Sequence, residues 1–236
     1  MYNTVLGAKP LQPDGTAFYY SDYSYQGHKG YSRHRWPCCS GTLPQIAADY
    51  HISAYFHDVN DLYVNLYIPS MLNWQNPNAR GSLTLTGEYP FAEVILLELK
   101  LDRSAEFSIH LRIPEWTKDA SVSVNGKRQP TELKPRTFAN LHRQWKTGDR
   151  IELHLPMTTR LEAIDPQHPD IVALMYGPLV LFPLTNAAPS ATRSQLLAAK
   201  PSGPKSWQAQ SASGPLALIP FTEIADQAYT TYLRIT

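Results

Sequence analysis

The residues best suited to chemistry in this chain are two adjacent cysteines, Cys38 and Cys39. No other cysteine occurs among the 236 residues, so a framework of several disulfides is excluded. The residues alone leave four interpretations open: two buried thiols packed as small apolar groups, a vicinal disulfide, a redox dithiol, or two thiolate ligands of a soft metal. A redox pair is more usually spaced Cys-x-x-Cys, and a tetrahedral zinc site would need two further donors from elsewhere.

The local setting of the pair favours reactive thiols. Three basic side chains, those of Arg33, His34 and Arg35, precede it, and a helix is predicted to follow from about Thr42. Nearby positive charge and the free N–H groups at the start of a helix both lower the pKa of a thiol. We therefore predict a pair that either binds a metal or attacks an electrophilic carbon.

Histidines and tyrosines near the pair are weaker candidates for a site. His28 and His34 are possible extra donors, although loop histidines without a role fit the sequence better. Tyrosines crowd the segment before the pair, where their rings would either contact a sugar or pack against other helices; they are Tyr19, Tyr20, Tyr23, Tyr25 and Tyr31. Five further histidines are expected at surface positions of the helix and strands, namely His51, His57, His110, His142 and His154.

The longest predicted helix runs from about Thr42 to Phe56, with Pro44 in its first turn, where a missing N–H costs nothing. Its apolar residues recur at spacings of three and four and should form one buried stripe. They are Leu43, Ile46, Ala47, Tyr50 and Ala54.

After the helix the apolar period falls to two, which is typical of strands with one buried face. Asn125-Gly126 predicts a tight hairpin, because both residues tolerate positive φ. Turns between short strands predict a mainly β fold built as an antiparallel β-sandwich. The predicted strands are 16–20, 62–68, 82–86, 93–101, 105–113, 121–124, 137–141, 150–155, 171–184 and 229–235.

Composition excludes several classes of protein. The 21 Lys and Arg residues nearly balance the 20 Asp and Glu residues, so no basic field exists to bind nucleic acid or an anionic membrane. No apolar run approaches the roughly 20 residues of a membrane span, and no signal peptide is recognisable. We expect no nucleic-acid or membrane partner, and a cytoplasmic protein if Met1 is the true start; the oligomeric state stays open, a homodimer included.

The sequence around the cysteines resembles that of the beta-L-arabinofuranosidase family, glycoside hydrolase family 127. The resemblance begins at Trp36-Pro37-Cys38-Cys39-Ser40-Gly41-Thr42-Leu43-Pro44-Gln45 and continues through Leu62 to Ser70. Later segments agree in order along nearly the whole chain. They are Glu88 to Phe91, Leu111 to Trp116, Val122 to Gly126, Trp145 to Asp149, Leu155 to Met157 and Tyr176 to Val180.

The resemblance implies a retaining glycosidase with an (α/α)6 barrel followed by β-sandwich domains. In this family three cysteines and a glutamate hold a zinc ion, and the first cysteine of the adjacent pair is the nucleophile. Carried over, Cys38 matches the catalytic nucleophile and a zinc ligand, and Cys39 matches a second zinc ligand. The implied substrate is a carbohydrate, namely an L-arabinofuranoside or a related sugar at a non-reducing end.

The chain departs from the family upstream of the pair. The remaining cysteine and glutamate ligands, and the general acid/base glutamate, precede the pair in the family, whereas residues 1–37 contain neither Glu nor Cys. We therefore expect the C-terminal portion of such an enzyme, inactive by itself and completed by an upstream barrel domain or a split-gene partner. The alternative is a non-catalytic β-sandwich module for carbohydrate binding or structural support.

Three domains are predicted on this basis. Residues 1–57 would be the C-terminal remnant of the barrel, with the cysteine pair; residues 58–156 would be the middle β-sandwich, and residues 157–236 a C-terminal β domain. Within the last domain, the segment of about 186–214 is rich in Ala, Ser, Pro, Gln and Lys, and we expect it to be a flexible loop.

Overall fold

A computed structural model describes residues 3–4, 12–21, 27–33, 38–187 and 189–236, with the backbone alone for 17–21, 38–41 and 43. Its elements lie in the following order along the chain. They are β1 (Ala17–Ser21), β2 (Lys29–Ser32), α1 (Cys38–Ile52), β3 (Tyr55–His57), β4 (Leu62–Val64), β5 (Ser70–Gln75), β6 (Arg80–Thr86), β7 (Val94–Leu101), β8 (Ala105–Ile113), β9 (Ser121–Val124), β10 (Lys127–Arg128), β11 (Thr137–Trp145), β12 (Arg150–His154), β13 (Thr159–Ala163), β14 (Ile171–Tyr176), β15 (Leu179–Pro183), β16 (Ser190–Ala191), α2 (Arg193–Leu197), β17 (Lys200–Gly203), β18 (Ser206–Ser211), β19 (Gly214–Pro220), a 3-10 helix (Phe221–Glu223) and β20 (Leu233–Ile235).

The fold is mainly β, as predicted, and the chain divides into two compact units. One unit is Asp49–Met157, and the other combines Met1–Ala48 with Thr158–Thr236. Among the described residues no helix is long and apolar enough to span a bilayer.

The Asp49–Met157 unit contains two sheets. One has six strands in the order β10-β9-β12-β7-β6-β5, and the other has four in the order β11-β8-β4-β3. The pairings are antiparallel except for β4 with β8. Alternate residues of the long strands are buried, as in β7, where Ile95, Leu97 and Leu99 are all at most 1% exposed. The ring of Trp74 on β5 meets Phe107 on β8 at 6.1 Å between centroids, so side chains of the two sheets share one core.

The second unit is organised around an eight-stranded sheet in the order β16-β20-β14-β15-β19-β18-β17, with β13 paired to β14, and a separate β1-β2 ribbon. One buried cluster includes Leu174, Leu181, Trp207 and Leu218 from this sheet. A smaller cluster joins Phe182, Phe221, Ile224 and Tyr229.

The expectation of a flexible loop at about 186–214 is wrong. Most of this segment forms β16, α2, β17 and β18, and β18 pairs in register with β19. Trp207 and Ala209 are buried, because pairing of β18 with β19 places them on the inner face, and Leu196 of α2 is buried in the same cluster. α2 begins with a capping box in which the Thr192 hydroxyl accepts from the Gln195 N–H.

Several predicted strands are confirmed and others change length. β8 and β9 have the predicted bounds, and Asn125 and Gly126 form the predicted turn with φ of 52° and 75°. The predicted strand 171–184 is a hairpin of β14 and β15, because Gly177, with φ of 50°, turns the chain at its centre. β4 ends at Val64, short of the predicted Ile68.

Candidate functional site

The cysteine pair opens α1. The helix begins at Cys38 itself, so the prediction that the pair lies just ahead of a helix starting near Thr42 is wrong by one turn. Pro44 consequently falls at the seventh helical residue rather than in the first turn. Because proline has no N–H, it cannot donate the usual i to i−4 bond to the carbonyl of Ser40. The side chains of Cys38 and Cys39 lie outside the described part of the structure.

The pair lies at the N-terminus of α1, where the electrostatic potential of the helix backbone is positive. The first N–H groups of a helix have no partner within the helix and carry the positive end of its dipole. The first turn of α1 contains no acidic residue that would offset this potential. This potential favours an anion near the first turn of α1.

The end of α1 is fixed by a residue distant in sequence. The Asn65 side chain donates to the carbonyl of Ser53 at 2.9 Å, and the N–H groups of Asn65 and Leu66 both donate to the carbonyl of Ala54. These bonds hold the chain just beyond the last turn of α1. The helix ends at Ile52 and not at the predicted Phe56, which lies in β3.

The predicted apolar stripe of the helix is not a buried one. Among its described members Ala47 is exposed, Ile46 and Tyr50 are partly buried, and the buried Ala54 lies beyond the end of the helix. Ile52, the last helical residue, is 71% exposed. Asn65 and Leu66 bond to the chain directly after the C-terminal end of α1.

The other side chains proposed near the pair give little support to a site. His28 is exposed, and Tyr31, on β2, is partly buried; burial raises the pKa of Tyr31 against an opposing hydrogen bond from Gln12. Tyr19 and Tyr20 lie on β1 with their backbones alone described. His34, Tyr23 and Tyr25 lie outside the described residues.

A polar cluster that sequence reasoning missed lies on the outer face of the four-stranded sheet. His110 Nε2 lies 3.2 Å from Asp61 Oδ2, and its ring stacks on Tyr63 at 4.2 Å with an interplanar angle of 7°. Burial opposes ionisation of Asp61, but hydrogen bonds from the Ser108 N–H and from His110 outweigh it and lower the pKa of this carboxyl. The two partners are brought together by parallel pairing of β4 with β8, which the sequence did not signal.

A serine, a histidine and a glutamate also adjoin on this face. Ser108 Oγ lies 3.1 Å from His142 Nδ1, and His142 Nε2 lies 3.3 Å from Glu106 Oε1. The chemistry of a hydrolytic triad needs a hydroxyl that substrate can reach. Ser108 is only 4% exposed, so this arrangement orders the sheet surface and does not form a nucleophilic site.

The chain offers an incomplete donor set for zinc. Among the side chains that the structure describes, no group of three or more His, Cys, Asp or Glu residues is placed to hold a metal ion. Adjacent cysteines supply at most two of the four ligands of a structural or catalytic zinc. The residues present therefore fit half of a zinc site, and any complete site needs donors from beyond them.

Part of this chain matches the sequence profile of a known protein family. Residues 61–157 match the profile of the GH127 beta-L-arabinofuranosidase middle domain, and they cover nearly all of the Asp49–Met157 unit. The chain therefore contains a segment similar to the GH127 middle domain. The matched residues begin just after α1 and β3 and end at Met157, so the cysteine pair precedes the GH127 middle domain in the chain.

Solved structures share the fold over the whole chain. The GH127 beta-L-arabinofuranosidase of Geobacillus stearothermophilus T6 matches 100% of the chain with a TM-score of 0.77 and 19% identity, over 45% of its own length. A second glycoside hydrolase matches 100% of the chain with a TM-score of 0.78 and 21% identity, over 47% of its length. A further GH127 beta-arabinofuranosidase matches equally fully with a TM-score of 0.75 and 21% identity, over 44% of its length.

The chain thus spans less than half the length of the solved structures that it matches. A search of curated proteins finds no significant match. Together these matches support a fragment of a glycoside hydrolase.

Proposed function

We propose that this chain is the C-terminal part of a retaining glycoside hydrolase in which Cys38 is the catalytic nucleophile. The proposed substrate is an L-arabinofuranoside or a related sugar at a non-reducing end. The observation that carries the proposal is the place of the pair: Cys38 and Cys39 open α1 directly ahead of the GH127 middle domain. At that position the helix N-terminus favours the thiolate, which is the form of cysteine that attacks carbon.

The proposed reaction follows the general scheme of retaining glycosidases. The Cys38 thiolate attacks the anomeric carbon, a C–S bond forms, and the glycosidic C–O bond breaks as a carboxylic acid protonates the leaving oxygen. Water, deprotonated by the resulting carboxylate, then cleaves the C–S bond and releases the sugar with its original configuration. The acid/base carboxyl group would come from outside this chain, in an upstream barrel domain or a separate partner chain.

Zinc is part of the proposal as a group that the complete enzyme would bind. A bound zinc ion keeps thiols deprotonated and fixes them in place. Cys38 and Cys39 would contribute two ligands, and the upstream part would contribute the others. The fit of this chain to zinc is limited to that pair.

The experiment compares cysteine variants in a protein that combines this chain with a GH127 catalytic barrel. With 4-nitrophenyl β-L-arabinofuranoside as substrate, we expect Cys38→Ala to lower kcat by about 10³-fold or more, as loss of a nucleophile usually does. Ser40→Ala, in the same helical turn, is the matched control and should retain activity. Residues 1–236 alone should show no turnover, because the acid/base group is missing.

Azide separates a chemical role of Cys38 from a structural one. In Cys38→Ala the small anion can enter the space left by the thiol, attack the anomeric carbon directly and give a glycosyl azide of inverted configuration. Recovery of product formation as that azide supports the nucleophile, whereas equal activity of Cys38→Ala and the unchanged protein contradicts it. Zinc analysis adds a second measure, with metal expected to be lost in a Cys38→Ala/Cys39→Ala double variant.

A further inference from the structure

The outer face of the six-stranded sheet in the Asp49–Met157 unit forms a groove that the proposed function does not use. Its volume is about 870 Å³. Known small-molecule sites have volumes of roughly 300 to 1,000 Å³. The groove is built by side chains of β5, β6, β7, β9 and β12, so it crosses five adjacent strands of one rigid sheet.

Strand register places these side chains in rows across the sheet. Met71 pairs with Thr84, Thr84 with Glu98, and Glu98 with Arg150, which gives one row across four strands. All four lie on the outer face, because the residues that alternate with them, such as Leu85 and Leu97, are buried. A ligand in the groove would therefore meet side chains at fixed spacings of about 4.8 Å from strand to strand.

A second row runs beside the first. Thr86 pairs with Leu96, Leu96 with Glu152, and Glu152 with Ser123. Leu96 is 44% exposed and lies between a hydroxyl and a carboxylate. Each row thus combines one apolar side chain with hydrogen-bonding groups.

The charges that line the groove cancel. Glu98 and Glu152 are balanced by Lys100 and Arg150, and Arg150 Nε lies 3.2 Å from Glu98 Oε2. A phosphate or nucleic-acid site would need an excess of positive charge, which this groove does not have. A peptide added as a strand would need a free strand edge, whereas the rows cross the interior of the sheet.

We propose that this groove is a non-catalytic binding site for a neutral oligosaccharide. Threonine and serine hydroxyls, Glu152 and Lys100 would bond to sugar hydroxyl groups, and Leu96 and Met71 would contact the C–H faces of the rings. The Arg150–Glu98 pair adds a donor and an acceptor side by side, which matches two hydroxyls on neighbouring carbons. The site lies in the matched middle domain and does not depend on the role of Cys38.

The test measures binding of three tetrasaccharides to the protein by isothermal titration calorimetry. Arabinotetraose and xylotetraose are neutral probes, and tetragalacturonate is the anionic one. Thr84→Trp fills the middle of the groove and should weaken binding of a neutral probe by about tenfold or more, the equivalent of one good hydrogen bond. Gln144→Trp is the matched control, because Gln144 is an exposed outward residue of β11 on the other sheet.

Glu152→Ala is a second variant that places no bulk on the sheet. The Glu152 side chain is exposed, so its removal should leave the thermal midpoint of unfolding unchanged while binding falls by about tenfold. Binding of a neutral probe that is lost in Thr84→Trp and Glu152→Ala but kept in Gln144→Trp supports the site. The absence of binding at millimolar probe, equal affinity in all variants, or a preference for tetragalacturonate would overturn it.

These outcomes are separate from those for the nucleophile. Cys38→Ala should abolish hydrolysis in the complete enzyme and leave binding in the groove intact. Thr84→Trp should do the reverse. Either proposal can therefore fail while the other stands.

Discussion

Replacing Phe107 with alanine should destabilise the Asp49–Met157 unit by about 3 to 5 kcal/mol, the usual cost of truncating a buried phenylalanine. Phe107 is 2% exposed, and its ring meets Trp74 at 6.1 Å and Trp145 at 6.2 Å between centroids. Trp74 belongs to the six-stranded sheet, whereas Phe107 and Trp145 belong to the four-stranded one. The substitution therefore removes contacts within and between the sheets and leaves a cavity where they meet.

The loss is confined to the ring. The indole N–H of Trp145 donates to the backbone carbonyl of Phe107 at 3.0 Å, and this bond survives the substitution. For a unit of about 100 residues, each kcal/mol lowers the melting temperature by roughly 4 to 8 °C, so we expect a fall of about 12 °C or more. Urea denaturation followed by tryptophan fluorescence measures the change directly, because two of the affected residues are themselves tryptophans.

Phe138→Ala is the control for this prediction. Phe138 lies on β11 of the same unit, but it is 39% exposed and touches Tyr63 edge-on at 5.6 Å. Its loss should cost about 1 kcal/mol, the value of one aromatic pair at the surface. If Phe107→Ala cost no more than Phe138→Ala, the two sheets would not be packed through this cluster and the sandwich described above would be wrong.

Three further predictions test other parts of the fold. Gly81→Ala should lower the free energy of unfolding by about 2 kcal/mol in urea denaturation, because the new Cβ would lie 2.4 Å from the Lys100 carbonyl oxygen. Gly126→Ala should lower it by about 1 kcal/mol, because Gly126 has a φ of 75° but open space around it. Equal costs would contradict the steric argument. Because the pKa of Asp61 is lowered in the folded protein, its stabilisation is present above the unfolded value of about 3.9 and is lost as the pH falls through the lower folded value. Asp61→Asn should therefore flatten the acid side of the stability curve, and an unchanged curve would show that the carboxylate contributes nothing. Amide hydrogens of Ser206–Ser211 that pair with β19 should exchange slowly, and exchange as fast as in an unstructured peptide would restore the flexible loop.

Local sequence patterns predicted the long strands well. The strict alternation in 105–113 and the two positive-φ residues at Asn125-Gly126 each reflect a rule that neighbouring residues satisfy among themselves. The same kind of reasoning wrongly predicted a flexible loop around Trp207, because a few apolar residues in a polar segment are buried only when a partner strand is present. The partner, β19, could not be identified from the composition of the segment itself.

The candidate site was predicted in kind but not in detail. The type and adjacency of Cys38 and Cys39 pointed to thiolate chemistry, and the helix beside them was also predicted. Its end was missed because the chain beyond Ile52 turns into β3. There the carbonyls of Ser53 and Ala54 accept hydrogen bonds from Asn65 and Leu66, which follow β4. Contacts of that kind cannot be read from helical periodicity.

By itself, the sequence indicated the class of this protein: mainly β, with balanced charge, and with an adjacent cysteine pair next to a helix in a segment that resembles GH127. Tertiary structure alone decided which distant residues meet, such as Asp61 with His110 and Glu98 with Arg150. The physical reason is that side-chain alternation within a strand is local, whereas the register between strands depends on the packing of the whole sheet. The groove across the six-stranded sheet exists only because that register aligns its rows.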